Sequence, residues 1–103
     1  MSMLYTIDQQ TLILENGVKR TFKTPIQQVE QIEGEGWFIL LEDYFPNNLM
    51  GLKPDGALFW RVKPQDETIS IQKLMKENEM IFCETHEGKC YRLNTQTGTL
   101  ELL

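Results

Sequence analysis

The same order of short features occurs twice in the chain, and this repetition restricts the fold more than any other part of the sequence. In 49-LMGLKPDGALFWRV-62, an apolar run enters the turn Pro54-Asp55-Gly56 and a second apolar run leaves it. The closing stretch, 90-CYRLNTQTGTLELL-103, has the same order around Gly98, which lies 42 positions after Gly56. A repeat at this spacing predicts a chain built from copies of one structural unit.

Each copy holds four short runs of strand-forming residues. The first unit has them around Ile26–Ile32, Trp37–Glu42, Leu49–Lys53 and Ala57–Val62, and the second around Thr68–Met75, Glu79–Thr85, Lys89–Asn94 and Thr99–Leu103. The apolar run Gly36–Leu41 is continuous, which favours a strand buried on both faces. The stretch Ile71–Met80 has some helix propensity, but its short length and its β-branched flank favour a strand that enters a turn.

A period of roughly 40 to 45 residues that contains four short strands is typical of β-propeller blades. We therefore predict one all-β domain over residues 1–103, with antiparallel sheets of three to four strands arranged as about two and a half propeller-like blades. A half unit would span residues 4–14, and two blade-like units would span 26–62 and 68–103. The alternative is a compact β-sandwich or barrel. Because an incomplete propeller leaves strand edges open, we also expect either homo-oligomers through blade edges or collapse of the sheets.

The stretch Leu52–Trp60 resembles the blade motif of PQQ-type, quinoprotein-like propeller repeats, in which a glycine is followed four positions later by a tryptophan. Gly56 and Trp60 match this motif, whereas the second copy departs from it at Leu102. The chain is also similar to short, stand-alone, uncharacterised bacterial proteins with the pattern N-x3-L-x3-G-x3-W, here Asn48, Leu52, Gly56 and Trp60. The resemblance implies a fold and no cofactor, because quinone enzymes use a complete propeller of several times this length.

Cys83, His86 and Cys90 form the one constellation that suggests chemistry. In a two-residue hairpin turn, the two cysteines would lie on the same face, directly opposite or as diagonal neighbours. With His86 they could hold zinc with one open position. The interpretation we favour is that two small apolar side chains pack together and that His86 is solvated at the turn. No serine nucleophile motif and no glycine-rich phosphate loop is present, so we predict that the protein is not an enzyme.

The segment 43–48 is the part of the sequence most suggestive of binding. It joins two strands where a tight turn would suffice, yet it carries two aromatic residues and a proline. Exposed aromatic side chains in loops are typical binding anchors. We therefore predict that Tyr44, Phe45, Asn47 and Asn48 bind a partner. In the alternative interpretation, the aromatic pair folds back to cover the core between the two units.

The net charge of −5 disfavours nucleic acid and anionic membrane as partners and is compatible with a basic protein.

The chain shows no signal-peptide pattern, so we expect a cytoplasmic protein with reduced cysteines. The functional prediction is a non-catalytic bacterial protein-interaction module, in its most specific form an inhibitor or immunity-like protein for a basic partner. The alternative is a small metal- or thiol-dependent enzyme that uses Cys83, His86 and Cys90.

Overall fold

The computed structural model of the chain describes residues 5–42, 48–62 and 71–103. Eleven strands lie in these ranges: β1 Tyr5–Asp8, β2 Thr11–Leu14, β3 Lys19–Thr21, β4 Ile26–Ile32, β5 Gly36–Leu41, β6 Leu49–Leu52, β7 Leu58–Arg61, β8 Ile71–Glu77, β9 Met80–Thr85, β10 Cys90–Leu93 and β11 Leu100–Leu102. No helix long and apolar enough to cross a membrane occurs among the described residues.

The strands form three antiparallel sheets, and each sheet takes its strands in chain order. The N-terminal sheet has the order β1-β2-β3, the middle sheet β4-β5-β6-β7 and the C-terminal sheet β8-β9-β10-β11. The prediction of an all-β chain with antiparallel sheets of three to four strands is confirmed, and Ile71–Glu77 is a strand, as expected. The third strand of the N-terminal sheet, β3, lies outside the predicted half unit.

The middle sheet is buried on both faces. All six residues of β5 are buried, and they alternate between two hydrophobic clusters. Phe38 and Leu40 pack toward the C-terminal sheet, whereas Trp37 and Ile39 pack toward the N-terminal sheet. This double burial explains why the sequence of β5 is apolar at every position rather than at every second one.

The two outer faces of the stack are largely polar. On the N-terminal sheet, all three residues of β3 are exposed, and the hydroxyl groups of Thr11 and Thr21 lie 3.0 Å apart. On the C-terminal sheet, Arg92 pairs with Glu101 across two strands, with Nη2 and Oε1 3.3 Å apart. The terminal layers of this stack therefore present solvated side chains outward, as the terminal units of repeat proteins do.

Trp60 joins the middle sheet to the C-terminal sheet. Its Nε1 donates a hydrogen bond to the Thr95 carbonyl oxygen at 2.9 Å. The indole lies close to two glycines, because a Cβ atom added to Gly51 or Gly98 would come within 2.5 or 2.6 Å of it. The indole thus occupies space that a side chain at either glycine would fill.

Arg20 has the equivalent position in the N-terminal sheet. It pairs with Leu12 as Trp60 pairs with Gly51, and its Nε donates to the Gly56 carbonyl oxygen at 2.6 Å. In the C-terminal sheet the equivalent residue is Glu101, because an irregularity in the pairing of β7 shifts the register by one residue before Trp60. Counting four residues from Gly98, as from Gly56 to Trp60, leads to Leu102, which is one residue beyond the position that the strand pairing gives.

Three carboxamide side chains attach the edge strand β8 to the middle sheet. Gln28 donates from Nε2 to the Leu74 carbonyl oxygen at 2.6 Å and accepts from the Leu74 N–H at 2.8 Å. Gln27 donates to the Gln72 carbonyl oxygen at 2.7 Å. Asn48 donates to the Ile71 carbonyl oxygen at 2.9 Å. Side chains of one sheet therefore satisfy main-chain groups at the edge of the next.

Candidate interaction surface

Cys83 and Cys90 do not share a face of their hairpin, so the prediction that they do was wrong. Cys83 pairs with Tyr91 and Cys90 pairs with Glu84, which places the two thiols on opposite faces. The physical reason is the length of the loop, since three residues, 86–88, separate the strands where two were assumed. The third, Gly88, has a φ of 85° and adds one residue to the turn. A loop with an odd number of residues reverses which cysteine faces the core.

The two thiols accordingly have different surroundings. Cys83 is fully buried in the core between the middle and C-terminal sheets, and burial raises the pKa of its thiol from 9.0 to about 12. Cys90 is half-buried on the outward face. His86 is exposed at the loop. Within the described ranges, no three His, Cys, Asp or Glu side chains are grouped so that they could hold a metal ion.

Of the four residues predicted to bind a partner, Tyr44, Phe45 and Asn47 lie outside the described residues. Asn48 is described, and its side chain is only 1% exposed. Its main-chain oxygen accepts from the Leu41 N–H at 2.8 Å, and its side chain donates to the carbonyl oxygens of Leu41 and Ile71. The Asn48 side chain is therefore not available to a partner in this conformation and instead closes the base of the 43–47 segment.

Five turns meet at one end of the stack, because neighbouring antiparallel strands return their alternate connections to the same end. We call this end the turn face and define it by residues 15–17, 33–35, 54–56, 78–79 and 95–98. Hydrogen bonds connect the turns of different sheets. Asn16 donates from Nδ2 to the Asp55 carbonyl oxygen at 3.4 Å, and Thr95 Oγ1 lies 2.5 Å from Glu35 Oε1. The turns of all three sheets thus form one continuous surface.

The turn face is acidic. Its five turns contain five carboxylates and neither a lysine nor an arginine, and the exposed Lys53 directly precedes the turn 54–56. The carboxylate residues are Glu15, Glu33, Glu35, Asp55 and Glu79, all of them exposed except Glu35, which is half-buried. Glu35 also accepts a hydrogen bond from Gln96 Nε2 at 3.2 Å. Carboxylates that are far apart in the sequence are therefore concentrated at one end of the molecule.

Two shallow cavities open beside these turns. One has a volume of about 290 Å³ and lies between the N-terminal and middle sheets, with Glu15, Asn16, Trp37 and Pro54 in its lining. The other, about 280 Å³, includes Glu79 and Thr95 of the turn face. The first depression places the Glu15 carboxylate next to apolar side-chain atoms, an arrangement that suits a long cationic side chain with an aliphatic stem. The second is lined by Arg92 as well as by Glu79 and Glu101, so it already contains a cation.

The turn face was missed by sequence reasoning, although a signal for it exists in the sequence. Three of the turns carry an acidic residue within two positions of a glycine, as in 15-ENG-17, 33-EGE-35 and 54-PDG-56. Each turn taken alone is an ordinary hairpin connection. Only the stacking of the three sheets brings the turns together.

No model of a known protein family matches the chain, and no curated protein matches it either. The function is therefore inferred from the geometry of the chain itself.

Proposed function

We propose that the protein is a non-catalytic protein-interaction module that binds a basic protein partner through the turn face. The observation that carries this proposal is the concentration of five carboxylates from three sheets on one surface. A surface of one charge attracts and orients a partner of the opposite charge. The turns also rest on sheets that are held together by Arg20, Trp60 and Gln28, so the surface is fixed before binding. An inhibitor or immunity-like role is the specific form of this proposal.

The test uses a lysine-rich peptide as a probe and two variants of identical charge change. The first variant neutralises three exposed residues of the turn face, Glu15→Gln, Glu33→Gln and Glu79→Gln. The control variant neutralises three exposed residues elsewhere, Asp8→Asn, Glu42→Gln and Glu87→Gln. Calorimetry at two salt concentrations should show weaker binding for the first variant alone. Equal weakening in both variants would mean that only net charge matters, and the turn face would lose its role.

The segment 43–47 remains a proposed second binding element. Its base is closed by the bond between the Leu41 N–H and the Asn48 carbonyl oxygen, and aromatic residues on such a fixed base are suited to binding. The double change Tyr44→Ala and Phe45→Ala should reduce capture of a partner in a pull-down, with Leu58→Ala as the matched control. Unchanged capture would remove the segment from the proposal.

The proposal extends to the architecture, in which the three sheets are blades of an incomplete propeller. Support comes from the meander order of each sheet, from the face-to-face stacking and from the equivalent contacts of Arg20 and Trp60. An experimental structure in which β4 and β8 are not neighbours would favour the β-sandwich alternative. Homo-oligomerisation through blade edges also stays a prediction, and a monomer by light scattering at high concentration would contradict it.

The metal- or thiol-dependent enzyme is not retained as a second proposal. It required Cys83 and Cys90 to converge, and they lie on opposite faces of the hairpin.

A further inference from the structure

Among the described residues, the N-terminal sheet has three strands, one fewer than each of the other two sheets. Its strands β1-β2-β3 correspond to β5-β6-β7 and to β9-β10-β11, since the turns that follow β2, β6 and β10 are equivalent. The middle and C-terminal sheets each add one more edge strand, β4 and β8. Within the described residues, no strand occupies the corresponding position beside β1.

Ile7 shows the consequence of this difference. It pairs with Leu12, as Phe38 pairs with Gly51 in the middle sheet. Leu12 is fully buried between the two sheets, so Ile7 also faces the middle sheet. Phe38 is 1% exposed, whereas Ile7 is 41% exposed. An apolar side chain that faces the core therefore remains open on the side where the additional strand would lie.

The main-chain groups of Ile7 support the same conclusion as its side chain. The Leu14 N–H binds the Val18 carbonyl oxygen, so Leu14 and, by alternation along β2, Leu12 direct their main-chain groups toward β3. Ile13, which lies between them, directs its main-chain groups toward Thr6 of β1. By alternation, the main-chain N–H and C=O of Ile7 point away from β2, toward the open edge. An edge of this kind can accept another strand.

The facing strand of the middle sheet offers a second group of contacts. The Leu41 N–H points to Asn48, so by alternation the main-chain groups of residues 38 and 40 form the hydrogen bonds to β4. These bonds go to residues 28 and 30, and the main-chain groups of Val29 therefore point away from β5. Val29 is the equivalent of Leu74, whose main-chain N–H and C=O are both bound by the Gln28 carboxamide. A carboxamide supplied beside β1 would reach Val29 in the same way.

We propose that β1 is a β-augmentation site, at which an extended segment of a partner protein adds antiparallel to β1 as a fourth strand. The strands that hold this position in the other sheets define the chemistry of that segment. Both carry an aliphatic residue at their fourth position, in 26-IQQVEQI-32 and 71-IQKLMKE-77. At the third position β4, which has a further sheet beside it, carries Gln28, whereas β8, at the end of the stack, carries Lys73. The partner segment is thus an extended stretch with a carboxamide at the position of Gln28, directed to Val29, and an aliphatic residue beyond it. This site does not depend on the turn face.

The probe is a capped peptide with the sequence of β4, IQQVEQI, added to the intact protein. Hydrogen exchange and NMR titration should show that the Ile7 amide exchanges freely without the peptide and becomes protected with it. A second peptide with alanine in place of the glutamine at the Gln28 position should bind at least about fivefold more weakly, because the bonds to Val29 are lost. Protection of Ile7 without the peptide would mean that the chain covers its own edge, and would overturn the proposal.

Two variants test whether the peptide binds at β1, and the side chains that they replace are equally exposed. Ile7→Asp places a charge where the added strand must pack and should weaken peptide binding by about tenfold or more. Met80→Asp replaces another side chain that is 41% exposed, on the C-terminal sheet, and should leave binding unchanged. The proposal fails if neither peptide binds or if both variants bind alike. The variant with a neutralised turn face should bind the peptide normally, which separates a failure here from a failure of the proposed function.

Discussion

Trp60 joins the middle sheet to the C-terminal sheet through both packing and a hydrogen bond. It packs against Phe38 with ring centroids 6.0 Å apart and a tilt of 30°, and different atoms of its indole lie against Gly51 and Gly98. Its Nε1 binds a carbonyl oxygen, so the buried indole leaves no donor unpaired. A change at Gly51 therefore acts through the tryptophan, whereas a change at Gly98 also strains a backbone with a φ of 80°.

Gly51→Ala should destabilise the fold by about 1–3 kcal/mol, because the new methyl group would collide with the indole. Urea unfolding followed by tryptophan fluorescence measures the loss. Trp60→Leu alone is also destabilising, but in the double variant the two losses should add up to less than their sum. Leu58→Ala, on the same strand and 49% exposed, is the control and should change stability by less than about 0.5 kcal/mol. Additive losses would show that Gly51 does not act through Trp60.

Cys83 predicts how stability depends on pH at the alkaline end. Its pKa is about 12 in the folded protein against 9.0 as the reference, because burial penalises the thiolate. Above pH 9 the unfolded chain loses this proton while the folded chain keeps it, so the free energy of unfolding should fall by up to about 1.4 kcal/mol per pH unit. Below pH 9 this contribution is constant.

Urea unfolding at pH 8 and pH 10 in reducing buffer measures the effect. Cys83→Ala should reduce the difference between the two pH values, whereas Cys90→Ala should leave it as in the unchanged protein. The same burial should protect Cys83 from alkylation of the native protein, so that Cys90 alone reacts. Reaction of both thiols before unfolding would contradict the assigned positions.

At the scale of elements, the attachment of β8 to the middle sheet by carboxamides has an energetic consequence. An edge strand otherwise exposes main-chain N–H and C=O groups. At Leu74 both groups are bound by Gln28, so the edge is occupied without a further strand.

Gln28→Leu should cost about 1–3 kcal/mol, because partly buried main-chain groups of Leu74 lose their partners. The Leu74 amide should also exchange faster, which NMR detects at this single position. Gln27→Leu removes one bond from a more exposed side chain and should have a smaller effect. Equal effects of the two changes would show that the bonds to Leu74 have no special role.

The sequence predicted the elements far better than their connections in space. Strands β5 to β11 follow from apolar runs separated by turn residues such as Pro54-Asp55-Gly56, since period and turn chemistry are local properties. β3 was missed because all of its three residues are exposed, so no alternation indicates a strand. The register at the Cys83 hairpin was wrong because it depends on one additional loop residue, Gly88.

The turn face and the β1 edge could not be predicted from local patterns. Gln28 and Leu74 are 46 positions apart, and Glu35 and Thr95 are 60 apart. Such contacts follow from how whole sheets stack, and stacking is decided by the combined shape of many side chains. The spacing of Gly56 and Trp60 predicts a repeated unit, which stays a prediction. It gave no sign that Arg20 holds in β3 the position that Trp60 holds in β7.

At the scale of the molecule, the middle sheet is shielded by a sheet on each side. Every residue of β5 and β6 is buried, whereas the outer sheets each have one solvated face. Opening of an outer sheet leaves most contacts of the middle sheet in place. We expect native-state hydrogen exchange to be slowest in β5, intermediate in β9 and fastest in β3. Exchange of β5 at the rate of β3 would mean that the sheets do not open separately.

The pair Arg92 and Glu101 determines where the stack ends. These positions correspond to Gly51 and Trp60, the two residues that receive the next sheet in the middle of the molecule. With an ion pair in place of a glycine and an indole, this face of the C-terminal sheet is exposed to solvent and does not pack against another sheet within the described part of the chain. A further sheet could pack on this end only once these two residues were exchanged for a small residue and an aromatic one. The same exchange without a further sheet would leave an exposed apolar face at this end, which is prone to association.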